Sequence, residues 1–253
     1  MNRIAYTLIA SFATATAFAQ HGVTDGEWPN YSGDKGATKY SALDQITPDN
    51  AAKLEVAWKW ESPDNPTAAE NPAKLPRRYK VTPLMIDGTL YAATTYNMAV
   101  AIDAATGETK WKFDPKVWED RRPGNLGFNS RGVAYWSDGA GDNRILLGTQ
   151  HNYLYALNAE TGELIESFGD KGVVDMIEPY RREVNRDYVW AISPGIVVGD
   201  NIIFGRAIND GPTRKEMPPG DVMAFNVKTG KHAWTFFNPP KPGQTGYDTW
   251  KDG

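Results

Sequence analysis

Three histidines, His21, His151 and His232, are all the imidazole that the 253-residue chain carries, and they show no metal-ligand spacing. There is no cysteine, so a Cys-x-x-Cys-His haem attachment and a disulfide are both ruled out. Carboxylates, amides and guanidinium groups are the other side chains able to hold a ligand, and two stretches show what they could hold. Asn209-Asp210, following Gly205-Arg206-Ala207-Ile208, sets an amide carbonyl beside a carboxylate, oxygen donors that suit a hard cation such as Ca²⁺. The same Asn209-Asp210-Gly211 also reads as a plain turn. Arg131, in Ser130-Arg131-Gly132, has a guanidinium able to grip a carboxylate through two parallel hydrogen bonds, and reads equally as a structural arginine paired to a loop acid.

Composition narrows what could position these groups. Net charge is −4, and lysines and arginines are scattered, with Arg77-Arg78, Arg121-Arg122 and Arg181-Arg182 as short pairs, so no nucleic-acid partner is expected. Without disulfides the fold must rest on packing, for which 9 Trp, 12 Tyr and 9 Phe supply large apolar area. Residues 1–19 read as a signal peptide: Arg3 opens a mostly apolar or small run, and Ala17-Phe18-Ala19 offers small residues at the two cleavage positions. An uncleaved anchor is the competing reading, but Thr7, Ser11, Thr14 and Thr16 dilute the run, which is short for a spanning helix. Residues 20–253 then form the mature chain, with no later segment able to anchor it stably in a membrane.

That chain repeats. Three times an apolar run, a tight turn, a second apolar run, a turn ending Thr-Gly and a third apolar run follow one another. The Thr-Gly turns are Asp103-Ala104-Ala105-Thr106-Gly107, Asn158-Ala159-Glu160-Thr161-Gly162 and Asn226-Val227-Lys228-Thr229-Gly230. Equivalent alanines, Ala101, Ala156 and Ala224, are 55 and 68 residues apart. Short strands at that period predict blades of a β-propeller with long connections, an all-β fold. Asp103 and Thr106 can bond the turn amides, and Gly107 supplies a positive φ. A Trp at the eleventh motif position (Trp111, Trp234) lies flat against a neighbouring blade, with a small residue opposite. The middle copy has Glu166 there, within an expected strand over residues 164–168, which predicts a weaker joint.

The stretch Trp28-Pro29-Asn30-Tyr31-Ser32-Gly33-Asp34, with Tyr40-Ser41-Ala42-Leu43 and Leu54-Glu55-Val56-Ala57-Trp58, resembles the start of the quinoprotein dehydrogenases, which use pyrroloquinoline quinone (PQQ). Lys80-Val81-Thr82-Pro83-Leu84-Met85, Ser130-Arg131-Gly132-Val133-Ala134-Tyr135-Trp136 and Gly246-Tyr247-Asp248-Thr249-Trp250 extend the resemblance in order along the chain. It implies an eight-bladed propeller of quinoprotein type, here a partial one of about three blades plus an N-terminal strand at residues 54–60 that pairs in the last blade. It implies oxidation of an alcohol, polyol or sugar, a quinone or cytochrome electron acceptor, and a periplasmic location.

The resemblance also assigns residues. Arg131 matches an arginine that binds PQQ, although Ser130 stands where some relatives have Asn. Thr149 falls where relatives have a PQQ-contacting threonine, with an ordinary strand-end hydroxyl as the alternative. Asp210 takes the Ca²⁺ position, and the backbone at Ile208 and Asn209 edges the quinone, although Arg206, Ile208 and Asn209 replace smaller residues. Lys80 stands where the methanol-type branch has a glutamate near the cofactor, and reads equally as a partner for a PQQ carboxylate or as an exposed lysine. The vicinal disulfide of that branch cannot form here. The family's catalytic aspartate and ring-stacking tryptophan follow the segment matching 246–250, so the chain as given is expected to be inactive and to expose an edge. The alternative is a non-catalytic propeller scaffold related to outer-membrane assembly lipoproteins, which shares the Thr-Gly turns but needs neither the 28–34 opening nor the 131–136 segment.

Overall fold

Each sequence repeat becomes one four-stranded antiparallel sheet. The computed structural model describes residues 22, 23, 25–76, 78–120, 127–209, 211, 217–238 and 240–249, so the expected signal peptide and Asp210 lie outside the described residues. A short helix α1 (Asp64–Glu70) and strand β1 (Arg78–Tyr79) precede the first blade: β2 (Leu84–Ile86), β3 (Thr89–Ala93), β4 (Ala99–Asp103) and β5 (Thr109–Phe113). Strand β6 (Asn129–Ser130) leads to the second, β7 (Ala134–Ser137), β8 (Asn143–Gly148), β9 (Tyr153–Asn158) and β10 (Val173–Asp175). After β11 (Val189–Trp190) come β12 (Ile196–Val198) and β13 (Asn201–Phe204) of the third blade. There β14 (Ala207–Ile208) leaves the sheet to pair with β11, and β15 (Val222–Asn226) and β16 (His232–Phe236) complete it. Among the described residues no helix is long and apolar enough to cross a membrane.

The turns form for local reasons. Asp87 and Gly88, both at positive φ (46° and 70°), close the β2–β3 hairpin with the handedness that matches strand twist. In the next turn the Asp103 carboxylate accepts the Ala105 and Thr106 amides at 3.0 and 2.9 Å. Those bonds, the Thr106 amide foremost, hold its pKa below the ordinary aspartate value. Asn158 and Asn226 repeat the arrangement in the other two blades.

Side chains of adjacent blades interdigitate to make the core. Leu84, Ala93, Ala99 and Ala101 meet Ile145, Leu147 and Leu157 between blades one and two, and Leu146, Leu154 and Phe168 meet Ile202, Phe204 and Met223 between blades two and three. Tryptophans finish the joints. Trp111 is the cross-strand partner of Ala101 in its own blade, and its ring lies on Gly162 of the next, where its Nε1 donates to the Ala159 carbonyl at 2.9 Å. Trp58 makes the same joint on Gly107, donating to the Ala104 carbonyl at 3.1 Å.

The second blade departs from the expected pattern. Residues 164–168 form no strand beyond one isolated bridge, Leu164 to Leu157, and the outer strand is β10 instead. The reason is the turn 169–172, where Gly169, Lys171 and Gly172 all have positive φ and return the chain to β9 six residues late, Val173 standing opposite Tyr155. Val174 and Gly169 then meet Gly230 in place of a tryptophan. Arg144 reinforces that joint: held by Asp142 at 2.7 and 2.6 Å, it donates to the Val227 and Lys228 carbonyls at 2.9 and 3.0 Å.

The N-terminal residues 54–60 join no sheet, although Trp58 and Trp60 pack on Ala92, Val100 and Ile102. On the outer strand of blade three Trp234 is 41% and Phe236 65% exposed.

Candidate functional site

The segments that enter each blade are stitched to one another. β1 runs parallel to β6, with Arg78 opposite Asn129 and Tyr79 opposite Ser130. The Thr82 amide donates to the Arg131 carbonyl at 3.1 Å, and the Arg131 amide donates to the Ile192 carbonyl at 3.2 Å. The third segment also holds the quinone-edge candidates: Ile208 pairs with Val189, and the Asn209 amide donates to the Tyr188 carbonyl at 3.0 Å. One backbone network therefore gathers Lys80, Arg131, Ile208 and Asn209, which are up to 129 positions apart in the chain. Lys80 and Arg131 are both exposed, and among the described residues neither is paired with a carboxylate. Arg131 Nη1 donates to Ser193 Oγ at 3.3 Å, a neutral partner that leaves its charge uncompensated. Two cations on one rim suit a polyanionic ligand.

Thr149 is placed differently. It is fully buried, its hydroxyl is 3.2 Å from both the Tyr153 amide and carbonyl, and its amide donates to the same carbonyl at 2.8 Å. Thr94 closes an equivalent turn onto Met98 in blade one.

Those turns carry the residues that sequence reasoning missed. Asn97 and Asn152 stand at φ 65° and 66°, a conformation asparagine tolerates better than most residues. The buried Asn97 side chain accepts the Gln150 amide at 2.8 Å and donates to the Thr95 and Asn129 carbonyls at 3.3 Å. Gln150 accepts the Asn129 amide at 2.8 Å and donates to the Gly127 carbonyl at 3.0 Å. Asn152 donates to the Val189 carbonyl at 2.8 Å. These amides fix the stitched rim from beneath. The signal was a Thr-x-x-Asn repeat, Thr94 to Asn97 and Thr149 to Asn152, at matching places in two blades.

Asp64 borders the same turn. It is buried, and its Oδ2 accepts the Tyr96 amide at 3.1 Å while Oδ1 makes no well-formed hydrogen bond among the described residues. Burial raises its pKa above the ordinary aspartate value, against the opposing bonds from Thr94, Tyr96 and Thr95. A carboxyl with a raised folded pKa favours folding most fully below its unfolded pKa, and that contribution is lost as pH rises through the folded value. Asp64→Asn is therefore expected to gain thermal stability relative to wild type as pH rises from the ordinary aspartate range towards neutrality, as paired melting curves would show. A constant difference across that range contradicts it.

Among the described residues no group of three acidic or histidine side chains converges. The metal expectation rests on Asp210, outside the described residues.

Comparison with known proteins agrees with this geometry. The family described as "PQQ: Glucose/ethanol/alcohol dehydrogenase, beta-propeller domain" matches residues 28–253. Quinoprotein glucose dehydrogenase A of Acinetobacter calcoaceticus is 31% identical over 87% of this chain and 29% of its own. The dehydrogenase subunit of the quinone-linked alcohol dehydrogenase of Gluconobacter oxydans is 32% identical over 90% of this chain and 27% of its own. The crystal structure of quinohemoprotein alcohol dehydrogenase from Comamonas testosteroni superposes with a TM-score of 0.64 at 25% identity, covering 83% of this chain and 27% of that one. The chain thus spans less than a third of the length of these relatives. With three propeller blades and a match over nearly its whole length, it belongs to the β-propeller family of the PQQ-dependent glucose, ethanol and alcohol dehydrogenases.

Proposed function

We propose that this chain forms the cofactor-holding rim of a periplasmic PQQ-dependent dehydrogenase that oxidises an alcohol, polyol or sugar and passes electrons to a quinone or cytochrome. The observation that carries this reading is the pair of exposed cations, Lys80 and Arg131, without an acidic partner among the described residues, on a backbone network braced by Asn97 and Gln150. When bound, PQQ supplies the two-electron oxidising power. The chain's own residues bind and orient. Arg131 grips one carboxylate of the tricyclic acid through two donors, Lys80 adds a second positive charge, and the backbone at Ile208 and Asn209, pinned to β11 and Tyr188, borders the ring. Thr149 serves this site by shaping the turn that presents Gln150. Ca²⁺, held through Asp210, would bring the charge that polarises the quinone oxygen.

The test is PQQ affinity of the protein with Arg131→Ala. Loss of a charge-assisted bidentate contact, about 1.5–3 kcal/mol, should weaken binding about ten- to a hundredfold in a calorimetric or fluorescence titration. An unchanged dissociation constant would remove Arg131 from the site.

A further inference from the structure

Aligned by strand register, Arg206 occupies the position of Thr94 and Thr149. Tyr91 opposite Ala101, Leu146 opposite Ala156 and Ile203 opposite Ala224 are equivalent pairs, and three residues after each stand Thr94, Thr149 and Arg206. In the first two blades the threonine hydroxyl closes a five-residue turn. The third blade has no such turn, and a guanidinium takes the place.

That guanidinium is buried and poorly matched. Its Nε and Nη1 are shielded from solvent and have no hydrogen-bond partner among the described residues. Nη2 reaches only the Met176 carbonyl at 3.5 Å and the Met223 sulfur at 4.0 Å. The Phe204 ring lies 5.7 Å below. Beside it lies the buried Tyr180 hydroxyl, which interacts with the guanidinium but makes no well-formed hydrogen bond among the described residues. The buried carboxylate of this region, Asp221, is held through Oδ1 by the Asn238 amide at 2.9 Å and Arg181 at 3.7 Å, while its buried Oδ2 has no hydrogen-bond partner among the described residues and its charge reaches Tyr180. Arginine cannot shed its proton to escape the cost, and an uncompensated charge in a packed seam is strongly unfavourable. Two guanidinium nitrogens and the Tyr180 hydroxyl, none with a well-formed hydrogen bond among the described residues, converge between blades two and three, walled by Met176, Phe204 and Met223, all buried.

We propose that Arg206 and Tyr180 form an internal seat for one small monovalent anion of the size and charge of chloride. A single positive charge matches a single negative one. An apolar wall favours weakly hydrated ions over sulfate, whose dehydration costs more. The seat lies directly before Ala207–Ile208, so the anion would brace the strand that reaches β11 and the rim.

The experiment is thermal unfolding of the chain at constant ionic strength as sodium sulfate is replaced by sodium chloride or bromide. Sulfate stabilises proteins generally by exclusion from their surface, so a bound halide produces the opposite order. Chloride at tenfold its dissociation constant should raise the folded-to-unfolded ratio about 11-fold. Arg206→Met, which keeps the apolar length, should restore the ordinary order, and Tyr180→Phe should weaken halide affinity about tenfold. If Arg206→Met fails to fold, wild-type crystals grown in bromide decide: an anomalous peak within hydrogen-bonding reach of Arg206 Nε and the Tyr180 hydroxyl supports the seat. A wild-type protein that follows the sulfate-first order, an equal halide response in Arg206→Met, or bromide crystals with no peak there would overturn it.

Discussion

Gly162→Ala is expected to destabilise the protein by about 2–5 kcal/mol, whereas Gly88→Ala should cost only about 1–2 kcal/mol. Both glycines have similar backbone, φ 75° and 70°, so both substitutions carry the same left-handed penalty. They differ in what a methyl would meet. At Gly162 a Cβ would lie 2.5 Å from Trp111 Cδ2 and 2.7 Å from Cε3, so the ring that closes the joint between blades one and two must move and loosen its bond to Ala159. At Gly88 nothing stands within 4 Å. The difference between the two urea-unfolding free energies isolates the joint from the turn. Equal costs would mean that tryptophan contact contributes little and the blades are held by their aliphatic core alone.

Asn97→Ala should cost about 3–5 kcal/mol and weaken PQQ binding as well. The substitution leaves the buried Gln150 amide and the Asn129 carbonyl without their Asn97 partner, at about 1–3 kcal/mol for an abandoned buried group, and puts alanine at φ 65° at about 1–2 kcal/mol. Asn152→Ala is the control within the same molecule. Among the described residues its Oδ1 has no hydrogen-bond partner and its Nδ2 makes one bond, to Val189, so the loss should be smaller. Denaturation of both variants beside a PQQ titration separates stability from binding. If Asn97→Ala keeps full PQQ affinity under conditions where it stays folded, the amides beneath the rim do not position Arg131.

The blades were legible because their signals are local. Asp103, Asn158 and Asn226 each bond amides two and three residues on, and Gly107, Gly162 and Gly230 supply positive φ at a fixed offset, so three similar strings of letters become three similar turns. The outer strand of blade two was misplaced although its sign was present. Gly169-Asp170-Lys171-Gly172 marks a turn after Phe168, and the apolar pair Leu164-Ile165 drew the strand to the wrong side of it. The rim itself was legible only through family resemblance. Asn97 finds its partner 53 residues on, Gln150 reaches back 21 and Asn152 reaches forward 37, distances at which spacing carries no information. Arg206 gave no signal either, since its meaning depends on the strand register that makes it the counterpart of two threonines.

The most direct test of the account is a structure of the protein with PQQ bound. The guanidinium of Arg131 should swing from Ser193 to lie about 3 Å from both oxygens of one PQQ carboxylate, with Lys80 on the same side of the ring. PQQ seated elsewhere, with Arg131 still bonded to Ser193 alone, would contradict it.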